Sequence, residues 1–351
     1  MFFPVPDFKG FDFFPHNLRL PFMRFKGLCL ALSILAIAVS LGLYFTRGLN
    51  YGVDFKGGSL IEVQHKGGPA DLGDIRQKLG GLGLGDVQIQ SFGSDTDVLI
   101  RIEEQPGGEA EQQVAMNKVV DTLGPEYTQR RIEVVGPAVS AELRRTGIIA
   151  VLASIIAISI YVWFRFEWQF AAGCVLALLH DVLVTVGIFS LFQLDFDLSI
   201  VAALLTILGY SVNDSVVVSD RIRENLRKFK RMDLTELLNI SINETLSRTI
   251  LTGVTAIAGI TALLVFGGEV LRLFSFTMLF GIIIGTYSSI FIAAPLLGYL
   301  GVRRDAFSGT KAKETAPVIA PASTAGADRA KAAATVRASA QPAKKAATPR
   351  R

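Results

Sequence analysis

Charge is scarce in this chain. Asp, Glu, Lys and Arg make up 19% of its 351 residues, against roughly 25% in a soluble domain. Half of the residues are apolar and the mean hydropathy is +0.44, which argues against a single soluble enzyme domain. Cysteine is almost missing too. Cys29 and Cys174 both lie inside long apolar runs, no pair has metal spacing, and His16, His65 and His180 are scattered. These shortages exclude a zinc site or a disulfide framework, and no cofactor is implied. The small positive surplus is local. Residues 303–351 hold 11 Lys/Arg against 3 Asp/Glu, a net of +8 that exceeds the +4 of the whole chain. Everything before them is therefore net acidic, and no nucleic-acid-binding domain is implied.

What the chain has instead is long apolar runs. Crossing ~30 Å of hydrocarbon takes about 20 mostly apolar residues, and six stretches qualify: 27–45, 147–164, 170–192, 198–218, 250–266 and 274–299. No small-residue cleavage site follows the first, where the chain reads Tyr44-Phe45-Thr46-Arg47, so it reads as a retained anchor. Arg19, Arg24 and Lys26 precede span 1. Six more cations, Arg221 to Arg231, follow span 4, and the tail after span 6 is basic. The short loops at 195–197 and 267–269 carry no Lys or Arg. With six spans all basic loops share one side, so both termini are expected in the cytoplasm and residues 46–145 across the membrane.

The soluble insert alternates in a readable order. Residues 59–64 have strand periodicity, and 71–79 is helix-like with Leu72, Ile75 and Leu79 on one face. Residues 87–90 and 98–102 are strands joined by a Gly93-Ser94-Asp95 turn. Residues 109–123 form a helix with Val114, Val119, Val120 and Leu123 apolar, stopped by Gly124-Pro125, and 131–135 is a last strand. The string βαββαβ is the ferredoxin-like arrangement. The expected fold class is thus an α-helical polytopic membrane protein with six transmembrane helices, plus an α+β ferredoxin-like domain between helices 1 and 2. Its parts are an N-terminal segment (1–26), span 1 (27–45), the insert (46–145), a five-helix bundle (146–300) with a basic loop at 220–233, and a basic tail (301–351). From Ala306 the tail carries 16 alanines and almost no large apolar residue, so disorder is expected. Its charge suits a solvated position near anionic lipid or, alternatively, a specific binding role. The Phe-rich start (Phe2, Phe3, Phe8, Phe11, Phe13, Phe14) shows no clean helical moment.

An ionisable group inside a span costs about 2.5–3.5 kcal/mol and marks function by default. Three stand out: Asp181 beside His180 in span 3, Asp214 in span 4, and Arg248 where an approach helix capped by Asp233 and Glu236 runs into span 5. Because span 4 runs inward and span 5 outward, Asp214 and Arg248 are expected to meet near the cytoplasmic side as a buried pair. Tyr210, Ser211, Asp214 and Ser215 share one face of span 4. Thr245, Arg248, Thr249, Thr252 and Thr255 share one face of span 5, completing a polar seam. Gly281, Gly285 and Ser289 form a small-residue stripe in span 6 suited to close helix approach. Alternatives stay open: Arg248 snorkelling with Asp214 as a static partner, Asp181 as a hydrogen-bonded structural carboxylate, and His180 as a packed residue.

Several segments together resemble a known family. They are Tyr51-Gly52-Val53-Asp54-Phe55-Lys56-Gly57-Gly58-Ser59, Val135-Gly136-Pro137, Leu179-His180-Asp181-Val182, Gly209 to Asp214 with Asp220 to Asn225, and Glu244 to Thr249. In this order on a six-span frame they resemble the SecD/SecF family of the bacterial Sec protein-export machinery, on its SecF side, over residues 27–303. The resemblance implies a fold similar to one half of the resistance-nodulation-division transporters and a multi-pass place in the inner membrane, with residues 46–145 periplasmic. It implies as partners SecD, YajC, the SecYEG channel, the translocating preprotein and membrane lipids, with no specific nucleic acid. It also implies use of the proton motive force late in export, with Asp214 and Arg248 as coupling residues and Asp181 beside them.

A mechanism follows from the residues themselves. A proton taken up by Asp214 weakens its pairing with Arg248, the bundle shifts, and the insert moves through the Gly57-Gly58 and Gly136-Pro137 connections near Asp54. One proton crossing 100 mV supplies about 2.3 kcal/mol, enough to bias a two-state element. Those connections also read as ordinary turns. A proton-driven exporter of small molecules or lipids would need a second transmembrane half and a large porter region. An intramembrane aspartyl protease would need two carboxylates sharing a site and a Gly-x-Gly-Asp signature, where the chain reads Ser211-Val212-Asn213-Asp214; no enzymatic activity is expected. A passive scaffold, whose charged pair only fixes helix register, stays open.

Overall fold

The computed structural model describes residues 20–85 and 87–302; the Phe-rich start and the tail expected to be disordered lie outside them. In chain order the elements begin with α1 (Lys26–Arg47), β1 (Asn50–Tyr51), α2 (Val53–Lys56), β2 (Gly58–His65), α3 (Leu72–Gly80), β3 (Val87–Phe92), β4 (Ser94–Ile102), α4 (Glu109–Leu123) and β5 (Tyr127–Val135). They continue with α5 (Pro137–Arg165), α6 (Trp168–Phe192), β6 (Asp195–Phe196), α7 (Leu198–Lys228), α8 (Leu234–Phe266), α9 (Gly268–Ser288) and α10 (Ala294–Tyr299).

Among the described residues, six helical stretches are long and apolar enough to cross a membrane. They overrun the apolar runs that announce them. The 33 residues of α8 span about 50 Å at 1.5 Å each, and Asp233 caps it by accepting from the Thr235 N–H at 2.9 Å. In α6, α7 and the Val270–Tyr299 stretch, half or more of the apolar window is buried, against 11–17% in α1, α5 and α8. The first three make the centre of the bundle and the others flank it. A π-turn at Ser289–Ala293 joins α9 to α10. Pro295 has no N–H for the carbonyl one turn back, which widens the helix there.

The insert is a four-stranded sheet in the order β3-β4-β2-β5, every pair antiparallel. Alternation puts Ile61 and Val63 of β2 and Val98, Ile100 and Ile102 of β4 on the face that α3 and α4 cover. On α4 the buried face is Ala115, Met116, Val119 and Leu123, whereas Val114, expected to be inward, is 44% exposed. Gln112 takes an inward place because its amide is satisfied, donating to Ser59 Oγ and accepting from the Gln105 N–H, both at 2.8 Å. The hairpin is also tighter than expected. Gly93 alone turns it at φ +78°, and Ser94 and Asp95 belong to β4.

Insert and bundle are fastened at one end. β1 pairs in parallel with β6, in the α6–α7 connection. Arg101 of β4 bridges Asp195 at 2.9 Å, and Asn50 donates to Asp195 at 2.7 Å. At the opposite end the segment before α1 lies along α8. Asn243 accepts from the Leu20 N–H and donates to its carbonyl, both at 2.9 Å, and Asn239 accepts from the Met23 N–H at 2.9 Å.

Candidate functional site

Asp181 lies at the centre of the bundle, fully buried. Its Oδ2 accepts from Ser211 Oγ of α7 at 2.6 Å and from Ser288 Oγ of α9 at 2.8 Å, and His180 Nδ1 lies 3.0 Å from Oδ1. Three helices therefore meet on one carboxyl group. Ser288, at the brink of the π-turn, escaped the sequence reading; its only signal was a place three residues past Gly285.

Asp214, almost one turn beyond Ser211 on α7, has different surroundings. It is 2% exposed, yet its Oδ2 has no hydrogen-bond partner among the described residues. Tyr210 Oη and Thr249 Oγ1 also lie along the α7–α8 seam without a hydrogen bond of ordinary geometry among the described residues, Tyr210 facing Thr252, whereas Ser215 turns to Cys174 of α6. A Cβ on Gly253 of α8 would lie 3.6 Å from Tyr210 Oη, which places that hydroxyl against α8. Thr252 Oγ1 instead donates to the carbonyls of Arg248 and Thr249, each at 3.0 Å.

The buried acid–base contact expected for Asp214 and Arg248 is not closed. Arg248 is exposed on the flank of α8 and forms no ion pair among the described residues, although its charge acts on Asp214. The reason is helical phase. Thr245 and Thr249, four residues apart, turn inward, and Arg248 projects past the edge that they define. Beside it, α7 and α8 are clamped by charge. Glu244 accepts from Arg221 Nε and from Asn225 Nδ2, both at 2.7 Å, and Asn225 also donates to Ser241 Oγ at 3.0 Å.

The glycine stripe faces α7. A Cβ at Gly281 would lie 2.2 Å from Ile207 Cδ1, and one at Gly285 3.0 Å from Ser211 Cβ. Only a missing side chain lets α9 approach this closely. The Gly57-Gly58 connection is equally constrained: φ is +80° and +109°, and a Cβ on Gly58 would lie 2.4 Å from the Ile102 carbonyl oxygen. Gly136 is the N-cap of α5 and Pro137 its first residue. The two connections are neighbours, since Gly58 pairs with Val135. Asp54, grouped with them in the sequence, does something else: its Oδ2 accepts from the Leu198 N–H at 2.9 Å, tying α2 to the start of α7.

The SecD/SecF C-terminal family of protein export membrane proteins matches residues 115–303, and the SecD/SecF GG motif matches residues 45–64. Protein translocase subunit SecF of Cereibacter sphaeroides is 45% identical over 311 residues, 85% of this chain and 96% of that protein. SecF of Rickettsia bellii is 47% identical over 288 residues, covering 81% and 94%. SecDF of Brucella abortus is 45% identical over 290 residues, 82% of this chain but 38% of that protein. The crystal structure of Thermus thermophilus SecDF, a translocon-associated membrane protein, superposes with a TM-score of 0.75 at 36% identity, covering 83% of this chain and 40% of that one. The chain thus spans well under half the length of its SecDF relatives and nearly the whole of separate SecF proteins. With six membrane-capable helices and both family signatures in place, this multi-pass membrane protein belongs to the SecD/SecF family.

Proposed function

We propose that this chain is a SecF-type accessory subunit of the Sec translocon and draws on the proton gradient to assist late preprotein export. The observation that carries the reading is Asp214: a carboxylate deep in a membrane helix, with an unpartnered oxygen, beside an arginine that does not close on it. Tyr210 and Thr249 bring hydroxyls to the same seam, and a carboxylate beside such groups inside the bundle can take up and pass on a proton. Asp181, held by two helices besides its own, is the fixed counterpart that keeps the seam in register. Arg248 faces outward from this chain at membrane depth, where a lipid surface suits it poorly, and a SecD-type partner helix gives it a polar neighbour. YajC and the SecYEG channel complete the proposed assembly.

The basic loops support a reading with both termini in the cytoplasm and residues 46–145 in the periplasm. There the sheet order supports a ferredoxin-like domain, and the paired Gly57-Gly58 and Gly136-Pro137 connections serve as its hinge. The test is Asp214→Asn in membrane vesicles with SecD, SecYEG and a preprotein. Normal assembly with loss of the gradient-dependent part of export is expected. Full gradient-dependent export by Asp214→Asn sinks the coupling role and leaves a scaffold.

A further inference from the structure

A groove of about 210 Å³ opens between α1, α5, α6 and α7, at the end of the bundle that carries the insert. Its floor is apolar, made by Val151 of α5, Val182 of α6 and Leu204 of α7, and its upper end carries Tyr44, Tyr51 and Arg144. The mouth is lateral: Leu152 on its rim is 54% exposed on the outer face of α5. Arg144 sits on α5 one turn before the apolar run begins, the level at which headgroups meet hydrocarbon. It is exposed and makes no ion pair among the described residues. Burial, then the neighbouring Tyr44, push the Tyr51 phenol above its ordinary value against the smaller opposing pull of Arg144. It stays a neutral donor near that cation.

We propose that this groove is a phospholipid site, taking one acyl chain along its floor and the headgroup phosphate on Arg144 with the tyrosine hydroxyls. Size and charge select this occupant. One turn of a helix, about 10 Å across and 5.4 Å tall, fills roughly twice the groove's 210 Å³, whereas an acyl chain is a single file of methylenes. An unpaired guanidinium with phenolic donors beside it is a phosphate-binding set, and tyrosine favours this depth. Phe55, next to the Asp54 that ties down α7, forms part of the wall, so a seated lipid bears on the insert's attachment. None of these side chains belongs to the α7–α8 seam, so the site stands apart from the proton-coupling reading.

The test is native mass spectrometry of the full chain in detergent, with added phosphatidylglycerol, phosphatidylcholine or diacylglycerol of matched chain length. The wild type is expected to retain one phospholipid. Arg144→Gln should weaken both phospholipids about tenfold and leave diacylglycerol unchanged, while Val182→Trp, which fills the floor, should abolish all three. Val151→Ile, a milder filling, should give a partial loss and serves if the tryptophan variant does not fold. Equal retention by wild type and filled variants overturns the site. Unchanged phospholipid binding by Arg144→Gln overturns the headgroup assignment. Loss of the lipid when the partner subunit binds puts a partner side chain in the groove and overturns the proposal as well.

Discussion

Replacing Asp181 by Ala removes the acceptor on which α6, α7 and α9 converge, and the structure allows the loss to be apportioned. Ser288 Oγ keeps an alternative, since it also lies 3.1 Å from the Gly285 carbonyl; its share is one ordinary hydrogen bond, about 1 kcal/mol. Among the described residues Ser211 Oγ bonds only Asp181, so its hydroxyl is stranded in a closed interior at about 1–3 kcal/mol. His180 can shift its ring proton to the other nitrogen and is left out of the sum. Asp181→Ala is therefore expected to destabilise the bundle by about 2–4 kcal/mol, read by steric trapping in bicelles. Removing the stranded donor as well should help, so Asp181→Ala/Ser211→Ala should recover about 1–3 kcal/mol over the single variant. Asp181→Asn keeps an acceptor oxygen for both serines and should retain gradient-dependent export. A double variant less stable than Asp181→Ala would contradict the stranded hydroxyl. An Asp181→Asn protein that folds normally yet loses only the gradient-dependent part would make Asp181 the proton carrier instead.

Two further outcomes are expected. Gly281→Ala places a methyl 2.2 Å from the fully buried, β-branched Ile207, an overpacking of about 1–3 kcal/mol; the companion change Ile207→Val should relieve part of it, and additive losses in a double-mutant cycle would contradict direct contact. Asp197, the N-cap of α7, has its carboxyl held above the usual value by burial, against the Ser199 hydroxyl and Ile200 N–H that favour its charge and with the Asp54 charge adding to the rise. A native value above the unfolded one gives stability that is full below the unfolded aspartate's value and is lost as pH rises through the native one. Asp197→Asn, which still caps, should flatten the thermal-midpoint profile across that window; the same slope in both proteins rejects the assignment.

The insert was legible because its two periods are clean: Ile61 and Val63, or Val98, Ile100 and Ile102, have no second way to face a core. Val114 misled because hydrophobicity alone does not show that Gln112 has partners waiting inside. The six spans were legible by length, but their overruns were not: polar turns of α7 and α8 are held by contacts such as Glu244 with Arg221 and Asn225, which hydropathy cannot see. The β1–β6 pairing joins two dipeptides 145 positions apart in register, too short to carry a pattern. At the site, sequence spacing placed Ser211 beside Asp214, and the fold gives its hydroxyl to Asp181. The side from which Arg248 projects depends on helix phase against neighbours, and a single chain does not record it.

Gly58 and Val135 face one another across paired strands, about 5 Å apart. Everything between them is topologically a cassette: residues 59–134 can be cut out and the ends rejoined by a tight turn without drawing α1 or α5 out of place. A trimmed protein of this kind would keep the membrane machinery whole while lacking its outboard limb, which allows the two halves of the molecule to be assayed one at a time.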